Sequence, residues 1–336
     1  MAMTEILWED LETKAQEAYF QGQLENALDI YKKCADLAKE EPEKLANVQK
    51  SMGLILHDNG DYVASIAALE EAIRIQTSLL ITKNDDTVFQ LGIANTYLNL
   101  AEVHRSLDDL ESSLQCLRDA MTIQIQFAPD SLVLAETYNL IGLIFGEVEN
   151  FKMALDFHTQ CYEIRVLQSP NSLLTSCSAS NIGLILHKMG KLESALFYLQ
   201  KALDIEMELI PNTLDLADSY SNVGQVLFKL ERAEEALSKF ESALQIQNDL
   251  APNSLEVSKT NFDLGWIRMN LDQLEQAHDH FQEAMDLQEH FLPNTEELAQ
   301  TYASYMLCLK RRNLPVPTDL EKKVQNILKV TEKEVE

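Results

Sequence analysis

SLLTSCSASNIGLILHKMGKLESALFYLQKALDIEMELIP, residues 172–211, reads as two helices folded back on each other. Behind Pro170, Asn171 or Ser172 is placed to cap a first helix by accepting a hydrogen bond from its free N–H groups. That helix runs through ASNIGLILHKMG and is predicted to stop near Gly190, a residue that takes the left-handed turn after a helix without steric penalty. Leu192 opens a second helix, in which Ala195, Leu199, Ala202, Leu203 and Ile205 recur at steps of three and four. Pro211 ends it, having no N–H with which to continue the ladder. The unit is a helical hairpin.

Outward from this unit the same landmarks return in one register. The turn APDSL at Pro129 recurs as SPNSL at Pro170, IPNTL at Pro211, APNSL at Pro252 and LPNTE at Pro293, an interval of 41 residues (Pro170 less Pro129). A first-helix series, Ala101, Gly142, Gly183, Gly224, Gly265 and Met306, keeps that step, and so does Ser113, Ala154, Ala195, Ala236 and Ala277 on the second helix. Extended to both ends, the register predicts eight hairpins over 8–42, 46–81, 88–128, 131–169, 172–210, 213–251, 254–292 and 295–330, with a short charged tail at 331–336. All of 1–336 is then one array. A surplus in SLLITKNDDTVFQLG predicts an exposed loop near Asn84 to Asp86. The last hairpin closes with a degenerate second helix from Asp319 to about Val330, whose EKK, QN and EKE would face outward as a terminal cap does.

The spacing within each unit resembles the tetratricopeptide (TPR) pattern: a small residue on the first helix, Ala twelve positions on, a large apolar residue four later and a small one three after that. Gly183, Ala195, Leu199 and Ala202 fill these places, then Gly224, Ala236, Phe240 and Ala243. The family's usual period is 34 residues. The longer unit, with its SNIG and SNVG first helices and ALDI and ALQI second helices, is similar to the repeats of kinesin light chains and nephrocystin-3-like proteins. HEAT repeats share the period range but not the Gly–Ala–Ala spacing. The resemblance implies an all-α fold: an α-solenoid, a right-handed superhelix of about eight TPR-like hairpins with a C-terminal capping helix. Kinesin light chains carry a long heptad segment before their repeats, which binds the motor heavy chain. About ten residues precede the first helix expected here.

Composition narrows the function. With 54 Asp and Glu against 27 Lys and Arg, the formal charge is −27, which disfavours phosphate backbones and anionic membrane surfaces. No apolar run reaches the length of a membrane helix, and Met1 to Leu11 has no basic segment of a signal peptide, so a soluble, cytoplasmic protein is expected, with cytoskeletal association as a further expectation. The five cysteines, Cys34, Cys116, Cys161, Cys177 and Cys308, form no CxxC pair and read as reduced thiols. No GxSxG, HExxH, P-loop or GxGxxG motif is present, so neither catalysis nor a cofactor is implied. His278 and His280 form an HxH, but on a helix they point to different sides; His57 and His187 are repeat residues. Cys34 and Cys161 fill the slot of Ala202 and Ala243 as packing atoms.

Function is therefore sought on the surface. In the TPR family the first helices line a concave groove that holds an extended partner segment. Two positions before the small residue stand Asn99, Leu140, Asn181, Asn222, Asp263 and Ser304; asparagines here in the family clamp a peptide backbone, since an amide is both donor and acceptor. The remaining groove positions supply Glu9, Glu12, Glu102, Glu136 and Glu147 toward the N-terminus, with Lys50 and Arg105. Toward the C-terminus they supply Lys188, Lys229, Lys259, Lys310 and Arg311, set against Asp218 and Asp263. Phe228, Phe262 and Trp266 are expected there as an exposed aromatic patch, or Trp266 is buried between the last two hairpins. The main site is thus expected in the C-terminal half, its cations holding acidic neighbours. The resemblance implies a non-enzymatic adaptor or scaffold for a protein or peptide ligand. The alternative is a constitutive subunit of a larger cytoskeletal or ciliary assembly.

Overall fold

Hairpins form because each segment carries its own start signal, stop signal and apolar stripe. The computed structural model describes residues 2–83 and 86–334, with side chains described from residue 8 to residue 327. Among the described residues there are sixteen helices and no strand. They are α1 (Ala2–Phe20), α2 (Leu24–Leu37), α3 (Pro42–Asp58), α4 (Tyr62–Lys83), α5 (Thr87–Ser106), α6 (Leu110–Phe127), α7 (Leu132–Glu147) and α8 (Phe151–Gln168). Then come α9 (Leu173–Lys188), α10 (Leu192–Leu209), α11 (Leu214–Lys229), α12 (Ala233–Leu250), α13 (Leu255–Asn270), α14 (Leu274–Phe291), α15 (Glu296–Arg311) and α16 (Thr318–Glu334). Each odd-numbered helix packs along the even-numbered helix that follows it. The chain divides into two compact units, Met1–Gln168 and Ser169–Glu336, each of four hairpins.

The repeating turn between hairpins works through its hydroxyl. Ser131, Ser172, Thr213, Ser254 and Thr295 each accept the backbone N–H three residues on, capping the next first helix. The tight turn inside each hairpin requires a left-handed residue. Gly22, Gly60 and Gly190 supply it, at φ +73°, +78° and +73°. In the other five hairpins an acid or amide does so: Asp108, Glu149, Glu231, Asp272 and Asn313, at φ between +57° and +62°.

Small residues bring the paired helices together. A Cβ on Gly183 would lie 2.6 Å from Leu199 Cγ and 3.2 Å from the Ala195 carbonyl oxygen, and one on Gly224 would lie 2.7 Å from the Phe240 ring. Contacts under 3 Å are not tolerated in a packed interior. Gly142 faces His158 in the same way, so a histidine fills the slot that Leu199, Phe240 and Phe281 fill elsewhere. Where serine replaces the facing alanine it bonds across the gap, Ser65 Oγ to the Gly53 carbonyl at 2.7 Å and Ser113 Oγ to the Ala101 carbonyl at 2.8 Å. Cys34 and Cys161, like Ala202 and Ala243, are fully buried, as their slot demands.

Three boundaries differ from the sequence reading. The first helix begins at Ala2 and takes in the segment expected to precede it. The last runs to Glu334, past the expected stop at Val330 and into the expected tail; residues 335–336 lie outside the described ones. The surplus before the third hairpin is mostly helix rather than loop: α4 has 22 residues and α5 has 20, against 18 in α10 and 16 in α9. This junction lacks the proline found in the five repeated turns, so nothing stops α4 until Lys83. Asn84 and Asp85 lie outside the described residues, and Asp86 caps α5 through the Phe89 N–H at 3.1 Å. Among the described residues no helix is long and apolar enough to cross a membrane.

Candidate functional site

Two cavities open between first helices of neighbouring hairpins, one in each unit. In the first unit Asn99, Glu102 and Arg105 of α5 meet Glu136 and Leu140 of α7 around about 290 Å³. In the second, Asp218, Ser221 and Asn222 of α11 meet Glu256, Lys259 and Asp263 of α13 around about 310 Å³, with Gln247 reaching in from α12. Asn99 and Asn222 hold the same register position, so the amide recurs at the same place in both cavities.

The second cavity is electrostatically acidic. Desolvation pushes the Asp263 carboxyl up to about 6, against a hydrogen bond from Gln225 that lowers it. Desolvation also raises Asp218, helped by Glu256 and Asp215 and opposed by Lys259. Lys259 therefore stands among carboxylates that outnumber it.

The other predicted residues are dispersed. Asn181 is half-buried, its Nδ2 lying 4.0 Å from Cys177 Sγ. Lys188, Lys229 and Lys310 are exposed. Burial, and after it the charge of Lys229, holds His187 below its usual range. Arg311 is engaged in packing: its Nη1 donates to the Met269 carbonyl at 2.8 Å and its Nη2 to Asp272 at 3.3 Å, bracing the turn after α13. The aromatic patch is not an exposed one. Phe228, Phe262 and Trp266 are each half-buried, and the last two set their rings edge-on to Phe281, with centroids 5.9 and 6.3 Å away. They belong to the cluster that joins Met269, Ala277, Phe281 and Cys308, packed against the second helix of their own hairpin.

One row escaped the sequence reading although it keeps the repeat step. Gln124, Arg165, Glu206, Gln247 and Gln288 stand 41 residues apart (Arg165 less Gln124) near the ends of successive second helices, all buried. The register would have exposed them as polar residues on an apolar stripe. Gln124 accepts from Thr137 at 2.8 Å, Arg165 pairs with Glu136, and Glu206 accepts from Ser176. Gln247 Oε1 and Gln288 Oε1 have no hydrogen-bond partner. The HxH histidines diverge as expected, His278 to the Tyr305 hydroxyl at 2.9 Å and His280 to Asn261 at 2.7 Å. Among the described residues no group of His, Cys, Asp and Glu is arranged to hold a metal ion.

Tetratricopeptide repeat models match residues 92–166, 178–206 and 215–290. The chain belongs to the tetratricopeptide repeat family. Among curated proteins none matches this TPR chain by sequence. Solved structures share its fold at low identity. BtubC (BKLC) from P. vanneervenii is 18% identical over 67% of this chain and 90% of that one, with a TM-score of 0.57. The nearly identical TPR-like repeats of a putative kinesin light chain from Podosopora anserina are 12% identical over 60% of this chain and 98% of that one, at 0.53. A STAND signal-transduction ATPase with a tetratricopeptide repeat sensor, from Pyrococcus horikoshii, is 16% identical over 99% of this chain and 47% of that one, at 0.64. TPR membership supports a protein-interaction role, as adaptor or scaffold.

Proposed function

We propose that this TPR chain binds an extended segment of a partner protein along the face made by its first helices, and so acts as an adaptor or scaffold. The observation that carries the reading is the recurrence of an amide in both first-helix cavities, Asn99 in one unit and Asn222 in the other. A side-chain amide offers a donor and an acceptor at fixed spacing and can satisfy a peptide bond without selecting its side chain. Asn181 continues the row between them in sequence, and Lys188, Phe228, Lys229 and Lys310 extend the face toward the C-terminus. Arg311 and Trp266 lie on the same first-helix register and also support the packing, Arg311 through Met269 and Asp272 and Trp266 against Phe281.

Hydrogen exchange on the full chain, with and without a bound partner segment, tests the reading. Slowed exchange confined to α5, α7, α9, α11, α13 and α15, with weaker binding for Asn222→Ala, is the expected result. Protection of the even-numbered helices instead would place the partner on the opposite face and overturn it.

A further inference from the structure

We propose that the cavity between α11 and α13 is a subsite for an arginine side chain of the bound segment. The inference rests on the groove reading above and names the chemistry that one part of the groove selects. Three carboxylates, Asp218, Glu256 and Asp263, line the cavity against a single amine, Lys259. Carboxylates alone would mark only a solvated acidic surface; the independent observation is Gln247. That side chain is 2% exposed, lines the same cavity from α12, and leaves Oε1 without a hydrogen-bond partner. A buried acceptor left unmet costs the full desolvation of the group.

The repeat contains its own comparisons: Gln76 and Gln288, in the matching slots, also leave Oε1 without a partner, and what sets Gln247 apart is that it lines a cavity walled by three carboxylates. At the matching place between α6 and α7, the Gln124 amide oxygen accepts from Thr137 at 2.8 Å. Thr260, which corresponds to Thr137, lines the second cavity, yet Gln247 Oε1 stays open. Ser221 Oγ, buried in the same wall, also has no partner. What the cavity lacks is enough donors carrying positive charge, with one amine set against three carboxylates. A guanidinium has five N–H donors in a planar fork and no acceptor, so it can bridge a carboxylate with two bonds and still reach the amide oxygen. A lysine amine would meet the charge without the fork. Desolvation that raises Asp218 and Asp263 is the cost that an incoming cation relieves.

The test uses the full chain, panned against a random dodecapeptide library. An enriched peptide is then synthesised with arginine, lysine or citrulline at its cationic position. Citrulline keeps the shape and removes the charge, and is expected to weaken binding at least tenfold, with lysine between. Glu256→Gln combined with Asp263→Asn should erase the difference between arginine and citrulline, whereas Glu234→Gln, an exposed acid elsewhere on α12, should leave it intact. A tenfold preference that survives the double substitution, or citrulline binding as tightly as arginine, overturns the subsite. If such a peptide still loses affinity on Asn222→Ala, the groove reading stands without it. Lysine binding as tightly as arginine overturns the guanidinium assignment, and a library that yields no peptide overturns both readings.

Discussion

At the scale of single residues, the repeat exposes its own exceptions. The left-handed position of the hairpin turn holds Gly190 in one unit and Glu231 in the next, at φ +62°. A side chain there costs on the order of 1 kcal/mol relative to glycine. Glu231→Gly is therefore expected to raise stability by about 0.5–1 kcal/mol, and Gly190→Ala to lower it by a similar amount, both read from urea unfolding. His158 is a second exception. It fills an apolar slot, is 2% exposed, and has Nδ1 without a partner. Burial, and after it the charge of Arg165, lowers its pKa to about 4. Because the unfolded chain takes up the proton more readily, the stability tied to neutral His158 is complete above about 6.5 and is lost as pH falls toward 4. His158→Phe, which copies Phe240 and Phe281 in the matching slots, should gain about 2 kcal/mol more at pH 5 than at pH 7.5, on the linkage arithmetic. Equal gains at both values would show that the ring, not its proton, sets the cost. Asp263 works in the opposite sense. Its folded pKa is raised to about 6, so its contribution is present below the unfolded value and lost as pH rises through 6. Asp263→Asn should stabilise the chain at pH 7 and hardly at all at pH 4, a pattern expected of a residue kept for binding rather than for folding.

At the scale of elements, the spacing between paired helices is decided by what lies opposite each glycine. A Cβ on Gly183 meets Leu199 at 2.6 Å, whereas one on Gly92, inside α5, meets nothing within 4 Å. Gly183→Leu should lower the melting temperature, at a cost of about 1–3 kcal/mol, with exposed Lys191→Leu as the neutral comparison. Gly92→Ala should raise stability by up to about 1 kcal/mol, since only the backbone entropy of glycine is removed. If thermal unfolding ranks these substitutions in the reverse order, the helices pair through another face. The same scale accounts for the extra length before the third hairpin. Where a proline follows a second helix the helix ends, and where none does, between the second and third hairpins, α4 and α5 each take an extra turn.

At the scale of the whole molecule, charge and local geometry point to one kind of ligand. The formal charge of −27 attracts cationic segments from a distance, although salt screens that attraction within about 8 Å at physiological strength. The sequence reading let the local lysines outrank it and expected acidic neighbours for the partner. With Lys259 outnumbered by carboxylates and Arg311 engaged with the Met269 carbonyl and Asp272, the local field of the second cavity agrees with the net charge instead. The association rate of an arginine-bearing peptide should accordingly fall as NaCl rises from about 20 to 300 mM, and an unchanged rate would remove long-range steering from the account. Taken alone, the sequence determined the hairpin, its 41-residue step, the capped turn after each proline and the small residues at each helix contact. These follow from short-range rules of periodicity, capping and steric size, repeated until chance is excluded. Tertiary structure decided which polar side chains share a cavity. Asp218, Gln247 and Asp263 come from three helices, and no spacing along the chain says that the Gln124 amide oxygen finds Thr137 while that of Gln247 finds nothing. It also decided that Phe262 and Trp266 turn onto Phe281 of the paired second helix, because the direction of a side chain between helices depends on how closely those helices approach.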